Sequence, residues 1–321
     1  MRIAVLALDQ FWTTGLAVTL DAFQVANEFS ARQMGGTPYF DVSVVGVRKK
    51  VRSGQGFPIP VKRITPALKP DWVIVPALNT TTPDRLLPAL ERPDVKEAIS
   101  QLVKWHTKGA YIAASSIGSF LLAETGLLDQ RGATTAWWLA PLFRQRYPNV
   151  LLDESRMLVP ADTVVTAGAA MGHLDLALWL IRGASPELST LVSRYLLADI
   201  RSLQAAYIIP NHLAQADPLI LRFEQWARKN LKKGFSLQKA ASALATSPRT
   251  LQRRCDAVLG KSPLSYFQDL RVEHAQSLLH GNDVDIEAVA AEVGYADGAT
   301  LRTLLRERLG RGVRDLRAEL R

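Results

Sequence analysis

The sequence predicts two domains of different fold class, an α/β domain followed by an all-α domain. In the first half, short apolar runs alternate with amphipathic stretches, a pattern that indicates parallel strands connected by helices. In the last third of the chain a helix-turn-helix pattern occurs twice, beginning at Ser236 and at Asp285, 49 positions apart. A chain of 321 residues is long enough for both domains. We predict domains at 1–185 and 217–321, joined by a connector helix and linker at 186–216.

The elements of the first domain follow from the length and spacing of its apolar residues. Short continuous apolar runs predict strands that are buried on both faces, and the amphipathic stretches between them predict helices. The predicted strands are Ile3–Leu8, Phe40–Val47, Trp72–Val75, Tyr111–Ala114, Met157–Val159 and Val164–Ala167. The predicted helices are Leu16–Gln33, Asp94–Thr107, Gly118–Thr125, Ala140–Tyr147 and Leu174–Arg182. We therefore expect a flavodoxin-like parallel sheet sandwich, whose ligands bind at the carboxyl ends of the strands.

The composition favours a polyanionic partner and excludes several other classes of protein. The net charge is +9, and residues 216–321 hold +5 of it, a denser excess than the +4 of residues 1–185. The single cysteine, Cys255, excludes a disulfide framework and a cysteine-rich zinc site. No stretch approaches the ~20 apolar residues of a membrane span, and the apolar run after Met1 is too short for a signal peptide. We expect a cytoplasmic protein without a metal or cofactor.

A strand that runs directly into a helix is the most informative site of the first domain. Residues 113–123 read Ala-Ala-Ser-Ser-Ile-Gly-Ser-Phe-Leu-Leu-Ala, with Gly118 two positions after Ser116. This spacing is typical of a nucleophile elbow, a sharp turn that exposes one side chain over a helix N-terminus. Together with the run Leu-Leu-Ala-Glu-Thr-Gly-Leu-Leu-Asp at 121–129, it resembles the class I glutamine amidotransferase-like superfamily, in its PfpI-like branch. The resemblance covers residues 1–185.

The chain departs from that family at the positions of its catalytic residues. The family usually has a cysteine at the elbow and a histidine further on, where this sequence has Ser116 and Ala136. Gly15 occupies the position where the family has an acid. Serine is a poor nucleophile without an adjacent base, and we expect His173, which precedes an apolar helix, to be structural. We therefore predict that the first domain is not an enzyme.

An elbow without catalytic residues still presents backbone N–H groups that favour a carboxylate or another anion. The expected ligand-binding residues are Trp12, Asn79, Ser115, Ser116, Ile117 and Trp137. Aromatic faces with a few hydroxyl and amide groups suit a small polar or zwitterionic metabolite, and either tryptophan face could hold a quaternary ammonium group. The alternative is that both tryptophans are core or dimer-contact residues.

The connector is predicted as the helix Glu187–Ala206, followed by a loop at 209–218 with two prolines. Its apolar face has two open roles, packing on its own domain or pairing two subunits. The helices predicted beyond the loop include Leu219–Asn230, Leu237–Ala245, a helix that begins after Ser247, Leu264–Leu279 and Asp297–Leu309.

The second helix of the first helix-turn-helix motif has a polar face suited to reading DNA. Leu251 and Cys255, at i and i+4, are predicted to face the core. Arg249, Gln252 and Arg253 then lie on the opposite face, and these side-chain types read guanine and adenine edges in the major groove. Arg254 lies off this stripe, so that it contacts either a phosphate or the adjoining helix.

Residues 217–317 resemble the AraC/XylS-type DNA-binding domain. The resemblance rests on Leu-Ala-x-Ser-Pro-Arg-x-Leu-Gln-Arg at 244–253, Gly-Lys-Ser-Pro at 260–263, and Ile-x-x-Val-Ala-x-x-Val-Gly-Tyr at 286–295. It implies that Arg249, Gln252 and Arg253 contact bases, and that Gly298, Ala299, Arg302 and Thr303 take the same positions in the second motif. Because two of these four have no polar side chain, we expect the second motif to act more on phosphates, through Arg302 and Arg306.

An amidotransferase-like domain ahead of this DNA-binding domain is the arrangement of GlxA-family regulators. The resemblance implies a sequence-specific transcriptional regulator of double-stranded DNA, controlled by a metabolite at the elbow and acting as a homodimer, with RNA polymerase as a further candidate partner. One alternative is an amidotransferase- or hydrolase-like enzyme with a DNA-binding appendage. A second alternative is an architectural DNA-binding protein that responds to no ligand.

Overall fold

The computed structural model describes residues 1–33, 38–198, 203–204, 207–214, 216–279, 284–310 and 312–318. The chain divides into two compact units. The α/β unit comprises Met1–Leu139 and Tyr147–Gln204, and the helical unit comprises Ala140–Arg146 and Ala205–Arg321. The short helix Ala140–Arg146 thus groups with the helical unit although it lies within the sequence of the α/β unit.

A seven-stranded sheet forms the centre of the α/β unit. Its strands, in spatial order, are Leu158–Ala161 (β10), Val164–Ala167 (β11), Tyr111–Ser115 (β7), Trp72–Val75 (β6), Arg2–Leu6 (β1), Asp41–Gly46 (β2) and Lys62–Arg63 (β5). All neighbours are parallel except β10 and β11, which form an antiparallel pair at one edge. Two small sheets pair Lys50–Arg52 (β3) with Pro58–Pro60 (β4), and Gly132–Ala133 (β8) with Leu151–Leu152 (β9).

Helices cover this sheet. They are Thr13–Gln33 (α1), Pro83–Leu90 (α2), Pro93–Thr107 (α3), Gly118–Glu124 (α4), Gly172–Ala184 (α6) and Pro186–Tyr195 (α7). On β1, Ile3 and Val5 join a core cluster with residues of α1 and α6, and the alternate residues Ala4 and Leu6 are also buried. Because successive strand residues point to opposite faces, the sheet is buried on both sides, as its apolar strands predicted.

The connector helix differs from its prediction. It ends at Tyr195 instead of Ala206, because Leu197 adopts a left-handed backbone conformation, with φ of +50°, that terminates the helix. Of the predicted remainder, 199–202 and 205–206 lie outside the described residues. Ser185 caps the start of α7, which packs against α1 and α6. The first of the two roles left open for this helix, packing on its own domain, is therefore the observed one.

The helical unit contains nine α-helices within the described residues. They are Ala140–Arg146 (α5), Pro210–Ala214 (α8), Pro218–Lys229 (α9), Leu237–Ala243 (α10), Pro248–Leu259 (α11), Pro263–Leu279 (α12), Ile286–Glu292 (α13), Gly298–Leu309 (α14) and Val313–Ala318 (α15). The predicted loop at 209–218 thus contains the short helix α8. Leu264, the first residue of the predicted helix Leu264–Leu279, is 49% exposed and lies in the first turn of α12, beside its start at Pro263.

The pairs α10–α11 and α13–α14 are the two helix-turn-helix motifs, and α12 connects them. On α12, Arg271 is buried and donates two hydrogen bonds to the carbonyl of Leu231, at 2.6 and 3.2 Å. Its guanidinium also lies 4.6 Å from the ring centre of Tyr295, in the turn of the second motif. A single buried cation therefore ties the segment before the first motif to the turn of the second.

Candidate nucleic-acid interface and elbow site

Helix α11 presents the predicted reading face to solvent. Its start is fixed by Ser247, whose hydroxyl accepts the backbone N–H of Thr250. Leu251 and Cys255 are completely buried, which confirms the orientation predicted for the helix. On the other face of the helix, Arg249 and Arg253 are exposed. Gln252 is half-buried, and its amide donates to both carboxylate oxygens of Asp256, at 3.1 Å each.

Arg254 has a partner inside the helical unit. Its guanidinium forms an ion pair with Asp217, a carboxylate that is only 2% exposed. Asp217 also accepts the backbone N–H groups of Leu219 and Ile220 and so caps α9. Of the two contacts left open for Arg254, the structure has the one to the adjoining helix, so that we do not assign this side chain to DNA.

Helix α14, the corresponding helix of the second motif, is fixed at its start by two carboxylates. Asp297 accepts the backbone N–H of Thr300 at 2.7 Å, and this hydrogen bond lowers the pKa of the Asp297 carboxyl. Glu287, on α13, accepts the N–H of Gly298 at 2.7 Å, and a Cβ at position 298 would lie 2.6 Å from the same carboxylate. The glycine therefore leaves room for the Glu287 carboxylate over the first turn of α14, and a larger residue would displace that side chain.

The exposed face of α14 is basic. Arg302, Thr303 and Arg306 are exposed, and the Thr303 hydroxyl donates to the carbonyl of Ala299 at 3.1 Å. Leu301 and Leu305 are completely buried and fill the core positions of the helix.

A cavity of about 590 Å³ at the end of α14 adds a residue that the sequence reasoning missed. It is lined by Arg302, Arg306 and Arg314, by Gly310 and Gly312, and by Val313 and Asp315. Asp315 already accepts the backbone N–H of Gly312, at 2.9 Å. Three guanidinium groups around one cavity are suited to a phosphate. The available signal was Gly310, whose left-handed conformation ends α14 shortly before Arg314.

In the α/β unit, the turn at Ser116 has the backbone of an elbow. Ser116 has a φ of +54°, a strained conformation for a residue other than glycine, and its N–H donates to the carbonyl of Ala167 at 2.7 Å. A Cβ at Gly118 would lie 2.3 Å from the carbonyl oxygen of Val75. The glycine therefore permits the helix to start directly beneath the neighbouring strand, as the spacing of the two residues predicted.

A neutral histidine occupies the space beside the elbow where an acid would be expected. The ring of His173 is buried. Its Nδ1 lies 2.7 Å from the carbonyl oxygen of Ala170, and its Nε2 accepts the backbone N–H of Ala77 at 3.1 Å. Burial lowers the pKa of His173 to about 4. A Cβ at Gly15 would lie 2.6 Å from Nε2, so that any side chain at position 15 would collide with the imidazole.

The predicted ligand residues lie at two depths. Ser115, Ser116 and Ile117 are buried, whereas Trp12, Asn79 and Trp137 are half-buried. The backbone N–H of Trp12 donates to the carbonyl of Ala77, whose own N–H donates to His173.

The other two half-buried side chains contact neighbours of their own. Asn79 packs against Gly54, where a Cβ would lie 1.9 Å from the Asn79 amide, and Trp137 contacts the ring of Trp138 edge-on at 5.6 Å.

Comparison with known proteins bears on both units. Residues 240–319 match the family model described as a helix-turn-helix domain. The chain is 25% identical over 323 residues to the transcriptional regulator GbdR of Pseudomonas aeruginosa, covering 98% of this chain and 83% of the relative. It is 28% identical over 227 residues to ArgR of the same species, covering 70% of this chain and 68% of ArgR. It is 25% identical over 200 residues to GlxA of Rhizobium meliloti, covering 60% of each.

Two solved structures have a similar fold. A crystal structure of an AraC family transcriptional regulator from Pseudomonas putida matches with a TM-score of 0.50 and 19% identity, covering 61% of this chain and 98% of its own. A ThiJ/PfpI family protein from Pseudomonas syringae matches with a TM-score of 0.50 and 18% identity, covering 76% and 90%.

An α/β unit of this fold together with two helix-turn-helix motifs defines a class, the DNA-binding transcriptional regulators. Within that class, the protein has an AraC-type helix-turn-helix domain and is a homologue of GlxA and other AraC-family regulators. None of the helices in the described part of the chain combines the length and apolar character needed to cross a bilayer.

Proposed function

We propose that a small polar or zwitterionic metabolite binds at the elbow of the α/β unit and controls how a homodimer of this regulator presents its helical units to DNA. The observation that supports this most directly is the elbow itself. Ser116 has the strained backbone of a nucleophile elbow, whereas Ala136 stands where the resembled family has its histidine. A ligand shifts DNA binding only through different affinities for two arrangements of the protein. The cytoplasm is the compartment in which such a regulator meets DNA, and RNA polymerase is its candidate partner.

The elbow is proposed to bind without catalysing a reaction. Ala136 has no basic group, and the Nε2 of His173 already accepts a hydrogen bond from the backbone. A serine hydroxyl needs an adjacent base to become a nucleophile. Gly15 removes the acid as well, because the imidazole fills the space that a side chain would need.

The chemistry of the ligand follows from the groups around the elbow. The Ser115 hydroxyl is completely buried and has no hydrogen-bond partner within the described part of the chain, which leaves it available to a polar group. The half-buried Trp12 is the proposed aromatic group of this site, and its ring suits a cation or a quaternary ammonium group. A carboxylate and a cation in one small molecule would use both.

On DNA, the two motifs are proposed to act differently. Arg249, Gln252 and Arg253 on α11 contact base edges, and Arg302, Thr303, Arg306 and Arg314 contact mainly phosphates. This division follows from the side chains that each exposed face offers.

Selection of DNA from a random duplex library tests the assignment of the reading face. Wild-type protein yields a preferred sequence, and Arg253→Ala should then bind that sequence about 1–3 kcal/mol more weakly and lose preference at one or two positions. Arg222→Ala, at an exposed arginine of α9, is the matched control and should change neither the affinity for that sequence nor the sequence preference. Equal weakening on every sequence would show that Arg253 contacts phosphate instead.

Control by a ligand is tested on the selected DNA with a panel of amino acids, small carboxylates and quaternary ammonium zwitterions. We expect at least one compound to change the Kd for DNA, and Trp12→Ala to abolish that change while DNA binding without the compound is kept. If no compound in the panel changes DNA binding, the result favours an architectural DNA-binding protein. Turnover of a compound by wild type that is lost in Ser116→Ala would favour the enzyme.

A further inference from the structure

The end of the connector is anchored inside the α/β unit by one buried side chain. Gln204 is the last residue of that unit and directly precedes Ala205, the first residue of the second segment of the helical unit. Its side chain is completely buried although glutamine is a polar residue that usually lies at the surface. Its backbone N–H donates to the carbonyl of Ser155 at 2.8 Å. A buried carboxamide needs hydrogen-bond partners, and Gln204 has them inside the α/β unit.

The carboxamide of Gln204 binds the loop that follows β8. Its Nε2 donates to the Thr134 hydroxyl at 3.0 Å, and to the carbonyls of Thr135 and Arg156 at 3.1 Å each. Two N–H groups are thus shared among three acceptors. Its Oε1 is buried and has no partner among the residues that the structure describes. Burial of an oxygen without a hydrogen-bond partner costs free energy, and the side-chain hydrogen bonds of this site are all made by the amide nitrogen.

The space for this side chain depends on a glycine. A Cβ at Gly168 would lie 2.1 Å from the Gln204 amide nitrogen. Gly168 directly follows Ala167, whose carbonyl accepts the N–H of Ser116 at 2.7 Å. We call the space that holds the Gln204 carboxamide its socket. This socket and the backbone of the elbow therefore depend on consecutive residues, Gly168 and Ala167, at the end of β11.

A second connection joins the same socket to the elbow. Thr135, whose carbonyl accepts from Gln204, donates its own hydroxyl to the carbonyl of Ser116 at 3.3 Å. The Ser119 hydroxyl, in the first turn of α4, donates to that carbonyl at 2.6 Å. Elbow, Thr135 and Gln204 thus form one continuous set of buried hydrogen bonds, and movement of the Ser116 carbonyl has a direct route to the connector.

We propose that Gln204 is a positioning residue that couples the elbow to the connector, so that a change at Ser116 releases or tightens the start of the segment leading to the DNA-binding motifs. This rests on the proposed control by a ligand, and it assigns the element through which that control acts. The element has two states, with the carboxamide in its socket or withdrawn from it.

Hydrogen–deuterium exchange of the full chain, followed in a peptide covering 203–214, tests the anchor without a ligand. Gln204→Ala and Gly168→Ala should each raise exchange in this peptide by about tenfold, because the first removes the carboxamide and the second expels it. Gln204→Met, which keeps the length and loses the donors, serves if Gln204→Ala does not fold. Gln24→Ala, at an exposed glutamine of α1, is the control and should leave the peptide unchanged.

Coupling to the elbow is tested by Thr135→Val, which removes the hydroxyl that donates to the Ser116 carbonyl and accepts from the Ser119 hydroxyl at 2.7 Å. It should raise exchange at 203–214 by about threefold in the wild-type background and add nothing to Gln204→Ala. A purely structural role would instead give the same factor in both backgrounds, and that result overturns the proposal, as does no effect of either Gln204 or Thr135 on the peptide. Failure of every metabolite to change DNA binding would defeat the proposed ligand control but leave these exchange results standing, so that the two failures are distinguishable.

Discussion

At the scale of single residues, the arginines of the helical unit fall into two groups. Arg254 and Arg271 are held by partners within the unit, and Arg308 donates to Ser265, Gln268 and Asp269 on α12. Arg253 and Arg306 are exposed on their helices. Only the second group is free to meet a phosphate or a base, so that the two groups should respond differently to substitution.

Arg306→Ala should weaken binding to all DNA sequences alike. Loss of one phosphate contact reduces the slope of log K against log salt by about 0.9. Binding is measured by fluorescence anisotropy from low to moderate salt on the selected sequence and on a scrambled one. Arg254→Ala is the contrasting variant, since it leaves the buried Asp217 without its cation and should destabilise the helical unit by about 1–3 kcal/mol. A change of base preference in Arg306→Ala would contradict the phosphate assignment.

The α/β unit should lose stability in mild acid because of His173. Its pKa is lowered from 6.5 to about 4 in the folded protein, so that between these values the unfolded chain takes up a proton that the folded one does not. Stability present above pH 6.5 is therefore lost as the pH falls towards 4, by at most roughly 3 kcal/mol.

Urea unfolding followed by tryptophan fluorescence measures this loss, since Trp226 alone of the seven tryptophans lies in the helical unit. In His173→Gln, the pH dependence of the unfolding midpoint should shrink. His274→Gln, in the helical unit, is the control. An unchanged pH dependence in His173→Gln would show that other groups cause the loss.

The elbow shows how far sequence reasoning reaches at this scale. Ser116 and Gly118 were predicted correctly as a turn because their spacing is local. The packing of His173 over Gly15 joins residues far apart in sequence, and no periodicity contains it. The pairing of Arg254 with Asp217 and the socket of Gln204 are long-range in the same way.

At the scale of elements, long helices and buried strands were predicted well, and short or exposed ones were not. The strands Trp72–Val75 and Val164–Ala167 have their predicted bounds, since each is a short, mostly apolar run that ends before a proline or a glycine. The strands β3 to β5 were missed because most of their residues are exposed, and α2 was missed because it has only eight residues with a proline at its start and another inside it. The end of α7 was missed because a leucine, and not a glycine, takes the left-handed conformation there.

The turn of the second motif should be the least tolerant position of the helical unit. Gly294 has a φ of +86°, and a Cβ there would lie 2.3 Å from the carbonyl of Leu231 and 2.5 Å from the Arg271 guanidinium. Gly294→Ala should therefore cost at least about 3 kcal/mol and weaken DNA binding, since it displaces the cation that joins the two motifs. Gly234 has a φ of +79° and a ψ of 169°, a conformation that costs another residue about 1–3 kcal/mol, but nothing lies within 4 Å of its Cβ position, so that Gly234→Ala should cost less than Gly294→Ala. Urea unfolding followed by circular dichroism compares the stability of the two variants. Equal losses of stability would mean that the groups around Gly294 move away from the added methyl group.

At the scale of the whole molecule, the two units have different requirements. The α/β unit contains the strained turn and the buried polar groups of the proposed ligand site, whereas the helical unit has the denser positive charge and the two exposed basic faces. Because the proposed route between them passes through Gln204, a variant of the elbow should change DNA binding while the reading face is intact. Conversely, Arg253→Ala should change sequence preference without changing the response to a metabolite.

The two motifs together should impose a bipartite DNA site. Helices α11 and α14 belong to one unit and both contact α12, so that we expect them to reach successive major grooves about 10 base pairs apart. The sequence selected from a random library should show two clusters of preferred bases at this spacing, with the stronger preference at the cluster read by Arg249, Gln252 and Arg253. Arg302→Ala should then weaken only the other cluster. Insertion of five base pairs between the clusters turns the second onto the opposite side of the duplex and should lower affinity by at least about tenfold, whereas insertion at the outer end should have no effect. One continuous cluster, or full affinity after the central insertion, would show that a single motif binds DNA.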